Sequence, residues 1–392
     1  MSVLWDLWRK TLGKDTEQEP GTGVPESAAG EKLFCAQPFE RFEVLGGGGE
    51  RGDVFFCCQN WVTKSIGNMS DKSIWEVWNS RDARDIRRSI LDGSFRHCRT
   101  ALCPYLQRID GPVQRVADVT DPRLLKIIKK KRTVMPDGPL DIICCFDQSC
   151  NLSCPSCRTR IIMETDHGRE ILDIQRRLED EALADARLLY ITGSGDPFGS
   201  PFFRQWLQTM KREAMPKLER IYLHTNGLLW TPRIWDSIPA ETRALIKGAT
   251  ISIDAATPET YAQNRRGGDF ETLVERLAFI AELRADGPLD YLEIHMTVQA
   301  NNFAEMPLFL ELGRRHNCDR VTFHQIVDWG TFSPEEFAAR AVQNADHPEH
   351  GAFVAMLHNP VLDDPLVSFS NLTDLKARTR AHETHGAAHA IA

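Results

Sequence analysis

The stretch LDIICCFDQSCNLSCPSC, residues 140–157, runs from a short apolar segment into a loop with three cysteines. Leu140–Phe146 reads as a buried strand. The loop after it sets Cys150, Cys154 and Cys157 at C-x3-C-x2-C spacing. Closed zinc sites and closed iron–sulfur clusters take four protein ligands. Three thiols therefore leave one position for a group that is not protein. Soft thiolates favour iron–sulfur clusters, zinc or copper(I). A four-iron cluster on three thiolates keeps one iron open, and the amino and carboxylate groups of an amino acid suit it as chelators.

The same rhythm continues downstream. LDIICCF, LLYITG, RIYLHTNG, ATISIDA, YLEIHMTVQA and RVTFHQIVD are strand-like, and they alternate with helical patterns such as REILDIQRRLEDEALADA and ETLVERLAFIAELRA. Six βα units in succession predict an α/β fold, a partial (β/α)6 TIM-like barrel over 138–330. Residues at the C-terminal ends of its strands are the expected site. In YLEIHMTVQA, Leu292, Ile294, Met296 and Val298 alternate with Glu293, His295, Thr297 and Gln299. Side chains alternate across a strand, so the apolar set should face helices and the polar set the interior. Ile251 and Ile253 oppose Ser252 and Asp254 in the same way, and Leu223 opposes His224. A polar interior suits a polar substrate; groups that only satisfy one another or buried water are the competing reading.

The 392 residues include eleven cysteines and carry a net charge of −8, so a nucleic-acid backbone is not the expected partner. No apolar run reaches the ~18 residues that suggest a membrane span. Asp6 interrupts the apolar part of MSVLWDLWRKTLGK, which argues against a signal peptide and for a cytoplasmic, reducing setting. There, cysteines read as metal ligands and thiols before disulfides. Residues 1–32 read as a helix and a Gly/Pro/Glu-rich linker, 33–125 as a small cysteine-rich α+β domain, and 331–392 as a C-terminal helix and tail. His382, His385 and His389 of that tail read as a disordered end rather than a metal site.

The cysteine triplet after the first strand resembles the signature of the radical S-adenosylmethionine (SAM) enzymes. TGSGDPF (192–198), HTNG (224–227) and SIDAATPETYAQNR (252–265) resemble its later landmarks. The resemblance implies a [4Fe–4S] cluster on Cys150, Cys154 and Cys157, with SAM on its open iron. It implies that Gly193, Ser194, Gly195 and Asp196 meet the methionine end of SAM, mostly through backbone. It implies ribose or methionine contacts for Ser252 and Asp254, and a SAM carboxylate contact for Arg265. Two departures stand out: Ser156 precedes the third cysteine where an aromatic residue is common, and Asp196 replaces the usual Glu.

The segment from Cys35 through GNMSDKSIWEVWNSRDARDIRRSILDGSFRHCRTALCP, ending in Cys98 and Cys103, resembles a SPASM/twitch accessory domain placed ahead of the barrel. That resemblance implies an auxiliary [4Fe–4S] cluster on Cys35, Cys57, Cys98 and Cys103. A four-cysteine zinc site is the alternative. A closed auxiliary cluster accepts an electron, which favours an oxidoreductase that oxidises or epimerises a polar substrate (a sugar, aminocyclitol or glycan unit). Modification of a peptide or protein side chain is the second reading, and a non-enzymatic electron carrier the third. Candidate bases on the polar face are His224, Glu293, His295 and His324. A one-electron reductant, such as flavodoxin or ferredoxin, is the expected partner besides the substrate.

Overall fold

The computed structural model describes residues 31–46, 51–70, 72–100 and 102–380. The expected N-terminal helix and the three tail histidines lie outside the described residues.

Twelve strands follow in chain order: β1 (Leu33–Cys35), β2 (Arg41–Leu45), β3 (Asp53–Phe55), β4 (Gly67–Asn68), β5 (Val113–Arg115), β6 (Asp141–Cys145), β7 (Leu188–Ile191), β8 (Arg220–Thr225), β9 (Ile246–Ser252), β10 (Tyr291–Val298), β11 (Arg320–Gln325) and β12 (Val367–Ser368). β1 and β5 make an antiparallel pair, and the other ten strands have the order β12-β11-β10-β9-β8-β7-β6-β2-β3-β4. β6 to β11 are the six strand runs predicted from sequence, so the α/β expectation is borne out. The described residues divide into two compact units, and the division falls inside β8, between Tyr222 and Leu223.

The first unit holds the described residues up to Gln148, with Glu164–Gly195 and Phe202–Tyr222. β2 runs parallel to β6, with Glu43 opposite Ile143 and Leu45 opposite Cys145, and β6 runs parallel to β7, with Ile143 opposite Tyr190. β3 and β4 continue from β2 as antiparallel strands. A strand from the cysteine-rich segment therefore sits edge to edge with the first strand of the βα series. Gly46 makes this approach possible: a Cβ there would lie 2.1 Å from the Phe146 carbonyl oxygen. The helix Gly168–Glu181 buries Ile171, Ile174 and Leu178, an i, i+3, i+7 stripe. In the helix Ile74–Trp78, Ser73 and Glu76 cap each other's backbone in a capping box.

The second unit holds Ser149–Met163, Asp196–Pro201 and the described residues from Leu223 onward. β9, β10, β11 and β12 are parallel; Ser252 lies opposite His295, His295 opposite Thr322, and Thr297 opposite His324. The alternation in β10 is as expected: Leu292, Ile294, Met296 and Val298 are fully buried, while Glu293, His295 and Thr297 are partly exposed. The helix Phe270–Ala285 starts where Asp269 accepts from the Thr272 amide, and it buries Leu273, Leu277 and Ile280. β12 had no counterpart in the sequence reading; two residues are too few to show a period.

Candidate cofactor site

The cysteine loop lies in the second unit, and each of its three thiols receives a side-chain N–H. Asn226 Nδ2 points at Cys150 Sγ at 3.6 Å, Arg265 Nη1 at Cys154 Sγ at 3.7 Å, and Arg158 Nε and Nη2 at Cys157 Sγ at 3.4 Å. The Leu152 amide adds a second donor to Cys150 at 3.5 Å. Burial, then the neighbouring Asp196 carboxylate, pushes the Cys150 thiol up to about 12. Burial also raises Cys154, against the pull of Arg265. Burial works against the charge of Arg158, but Cys157, Cys150 and Cys154 together outweigh it and raise its pKa. One guanidinium thus senses all three thiols. Thiols held this high ionise when a metal takes the proton's place, and N–H donors aimed at sulfur suit thiolate ligands. Among the described residues no three His, Cys, Asp or Glu side chains are set to hold a single metal ion. A cluster does not require that, because each cysteine binds a different iron. The residues fit a cluster.

The side chain of Asp196 has protein partners of its own. Its Oδ1 accepts from the amides of Phe198 and Gly199, and its Oδ2 from Thr225 Oγ1 and the Asn226 amide, all within 3.0 Å. The carboxylate is buried and committed to protein donors. It fixes Asn226, whose Nδ2 also donates to Asn151 Oδ1 at 2.9 Å. In the first unit, the amides of Gly193, Ser194 and Gly195 converge on Thr192 Oγ1 at 2.6–3.1 Å.

Arg265 is equally occupied. Its Nη2 meets Asp254 Oδ2 at 2.9 Å and its Nε the Ile253 carbonyl at 3.3 Å. Asp254 has φ of 60°, a left-handed conformation that Asp tolerates better than most residues. It is held there by the Thr297 amide on Oδ1 at 2.6 Å, and by Asn264 and Asn302 on its carbonyl.

Three of the four candidate bases meet. His224 Nε2 lies 2.8 Å from Ser252 Oγ; the His295 and His324 rings are edge-on at 4.0 Å; and His224 and His295 are 6.3 Å apart. Burial holds His224 and His324 near 4, and His295 well below its ordinary value. Among the described residues, His295 Nε2 is buried without a hydrogen-bond partner. Glu293 stands apart, one inward position nearer the start of β10, where Tyr291 donates to it at 3.0 Å.

The first unit holds Cys35, Cys57, Cys98 and Cys103. Burial raises all four thiols, Cys98 to about 12. Cys35 is raised further by Cys98 and Cys103, and Cys57 by Cys35 and Cys103. Cys58 is pushed up to about 11 by burial, with Glu43 as its strongest raising neighbour. Cys35 thus lies within electrostatic reach of Cys98 and Cys103, and Cys57 of Cys35 and Cys103, thiols of the kind a cluster takes; among the described residues no three of them are set to hold a single zinc ion. Two residues of this unit went unread. Arg41 and Glu43 share a face of β2 and approach to 4.0 Å, and neither side chain has a hydrogen bond among the described residues. Arg41 Nε is buried with no hydrogen-bond partner among the described residues. The alternation in RFEVL was the available signal.

A family model for the SPASM iron–sulfur cluster-binding domain matches residues 35–105. This segment is a SPASM domain. No curated protein matches the sequence. Among solved structures, the chain is similar to SuiB from Streptococcus suis, with 14% identity, a TM-score of 0.36, and coverage of 54% of this chain and 47% of SuiB. It is similar to anSMEcpe with bound AdoMet, at 17% identity, TM-score 0.35, and coverage of 49% and 56%. TYW1 with a lysine-pyruvate adduct follows, at 17% identity, TM-score 0.31, and coverage of 51% and 66%. The matched part spans about half the length of SuiB and of anSMEcpe. Among the described residues no helix is long and apolar enough to cross a membrane.

Proposed function

We propose that the chain is a radical SAM enzyme that abstracts a hydrogen atom from a peptide or protein substrate, with a SPASM domain holding an auxiliary cluster. The observation that carries the reading is the donor set at the C-x3-C-x2-C loop: three cysteines, each with its own side-chain N–H donor. Cys150, Cys154 and Cys157 would hold a [4Fe–4S] cluster, and Cys35, Cys57, Cys98 and Cys103 a second one. The first cluster with SAM supplies a 5′-deoxyadenosyl radical when reduced by a flavodoxin- or ferredoxin-like donor. The chain's own residues do the rest. Asn226, Arg265 and Arg158 orient the ligating thiols. Asp196 ties the turn after β7 to the end of β8. The neutral imidazoles of His224, His295 and His324 stand ready to take a proton from the substrate.

Peptide modification comes before oxidation of a sugar or aminocyclitol because a SPASM domain is common among the peptide-modifying members of this class. The polar face of β9–β11 favours the second reading, a polar small molecule. The test is anaerobic reconstitution. About eight irons per chain without zinc are expected for two four-iron clusters. Cys154→Ala should abolish 5′-deoxyadenosine formation, and Cys103→Ala should leave SAM cleavage but impair product. One zinc with about four irons would remove the auxiliary cluster from the proposal. Turnover of a saccharide with no altered peptide would reverse the order of substrates.

A further inference from the structure

The donors to the three thiols differ in charge. Asn226 is neutral, and Arg158 is a cation. Arg265 is a cation whose Nη2 already lies 2.9 Å from the Asp254 carboxylate while its Nη1 points at Cys154. The side chains of Arg265 and Asp254 are only 12% and 3% exposed, so water screens the pair weakly. Cluster potentials follow net charge and hydrogen bonds to sulfur, with burial amplifying both.

We propose that Asp254 and Arg265 form a charge couple that sets the reduction potential of the cluster on Cys150, Cys154 and Cys157. Arg265 raises the potential by donating to the Cys154 sulfur, and Asp254 limits that rise by cancelling the guanidinium charge. The inference rests on the reading above that these cysteines carry a cluster. The architecture around the pair is consistent with such a role. Asp254 is held in a left-handed conformation by the Thr297 amide and by two asparagines, so its carboxylate is fixed rather than free to follow the arginine. The arginine's third contact, from Nε to the Ile253 carbonyl, fixes the plane of its fork. Both act through Cys154, so they are positioning residues for the cluster.

The pair predicts shifts of opposite sign. Asp254→Asn keeps the Oδ1 acceptor for Thr297 and suits the left-handed backbone. It leaves Arg265 uncancelled, so the midpoint potential should move to less negative values. Arg265→Met removes the donor and the positive charge, and the potential should become more negative. Arg265→Lys serves where the methionine variant retains no iron. It keeps the charge but loses the fork, and is expected to fall below wild type as well. The measurement is a dye-mediated redox titration of the reconstituted full-length chain without SAM, followed by electron paramagnetic resonance. Omitting SAM separates this role from a contact between Arg265 and the SAM carboxylate. Opposite shifts at equal iron content support the couple. Unchanged potentials, or shifts of one sign in both variants, overturn it. A wild-type protein that binds no cluster would instead overturn the reading on which the couple rests.

Discussion

His224 Nε2 and Ser252 Oγ, from neighbouring strands, lie 2.8 Å apart, and His295 stands directly opposite Ser252 on the next strand. With His324 the three imidazoles occupy one face of the sheet with no carboxylate among these contacts. Burial keeps all three below the ordinary histidine range, His224 and His324 near 4. The unfolded chain therefore binds more protons than the folded one between about pH 6.5 and about pH 4. Stability is fully present above pH 6.5 and falls as the solution is acidified through that window. Thermal unfolding at pH 7.5 and pH 5 should show a clear loss at pH 5, smaller in His295→Gln. An equal loss in the variant would mean that the histidines are not its source.

Asp196 receives four protein hydrogen bonds. Asp196→Ala strands these donors in a buried place and should cost about 2–4 kcal/mol. Asp196→Asn keeps two acceptor sites and should cost less. The midpoint of urea unfolding reads both. A variant with Ala as stable as wild type would make the carboxylate a ligand contact after all.

Gly46 lies against the Phe146 carbonyl, so Gly46→Ala cannot be absorbed by a side-chain rotation. A loss of about 1–3 kcal/mol is expected, at the scale of other overpacked sites. The same substitution at Gly93, where a Cβ meets nothing within 4 Å, lacks that clash and controls for it. Its φ of 79° still adds strain, so the comparison is of midpoints between the two variants.

Glu43 is desolvated, which raises its pKa against the opposing pull of Arg41. Its carboxylate accepts no hydrogen bond among the described residues. Such a group costs stability, and a perturbed buried carboxylate is a candidate for a functional role. Glu43→Gln should leave the unfolding midpoint unchanged or higher while lowering product formation. A fall in stability with full product yield would assign it a purely structural part.

The sequence was most legible where structure is local. All six strand runs recur, and the alternation in β10 is seen residue by residue, because side-chain period and burial speak through neighbouring letters. Long-range commitments were less legible. The motif places Arg265 and Asp254 near SAM; that they also hold each other depends on the turn after β9, which their spacing does not state. The carboxylate partners of Asp196 come from its own turn and from the end of β8, and the motif alone does not name the distant ones. Arg41 and Glu43 were missed because their setting depends on β2 pairing with a strand about a hundred residues later. Nothing in RFEVL names that partner.

The pairing of β2 with β6 also bears on how this protein can be cut. A fragment beginning near Leu140 would lose the strand that covers β6. Five residues of backbone N–H and C=O would then line an open margin, the kind of surface on which chains add to one another. Such a fragment should precipitate even with its cysteine loop whole. The domain matched at 35–105 thus carries, in β2, a border guard for the sheet beside it.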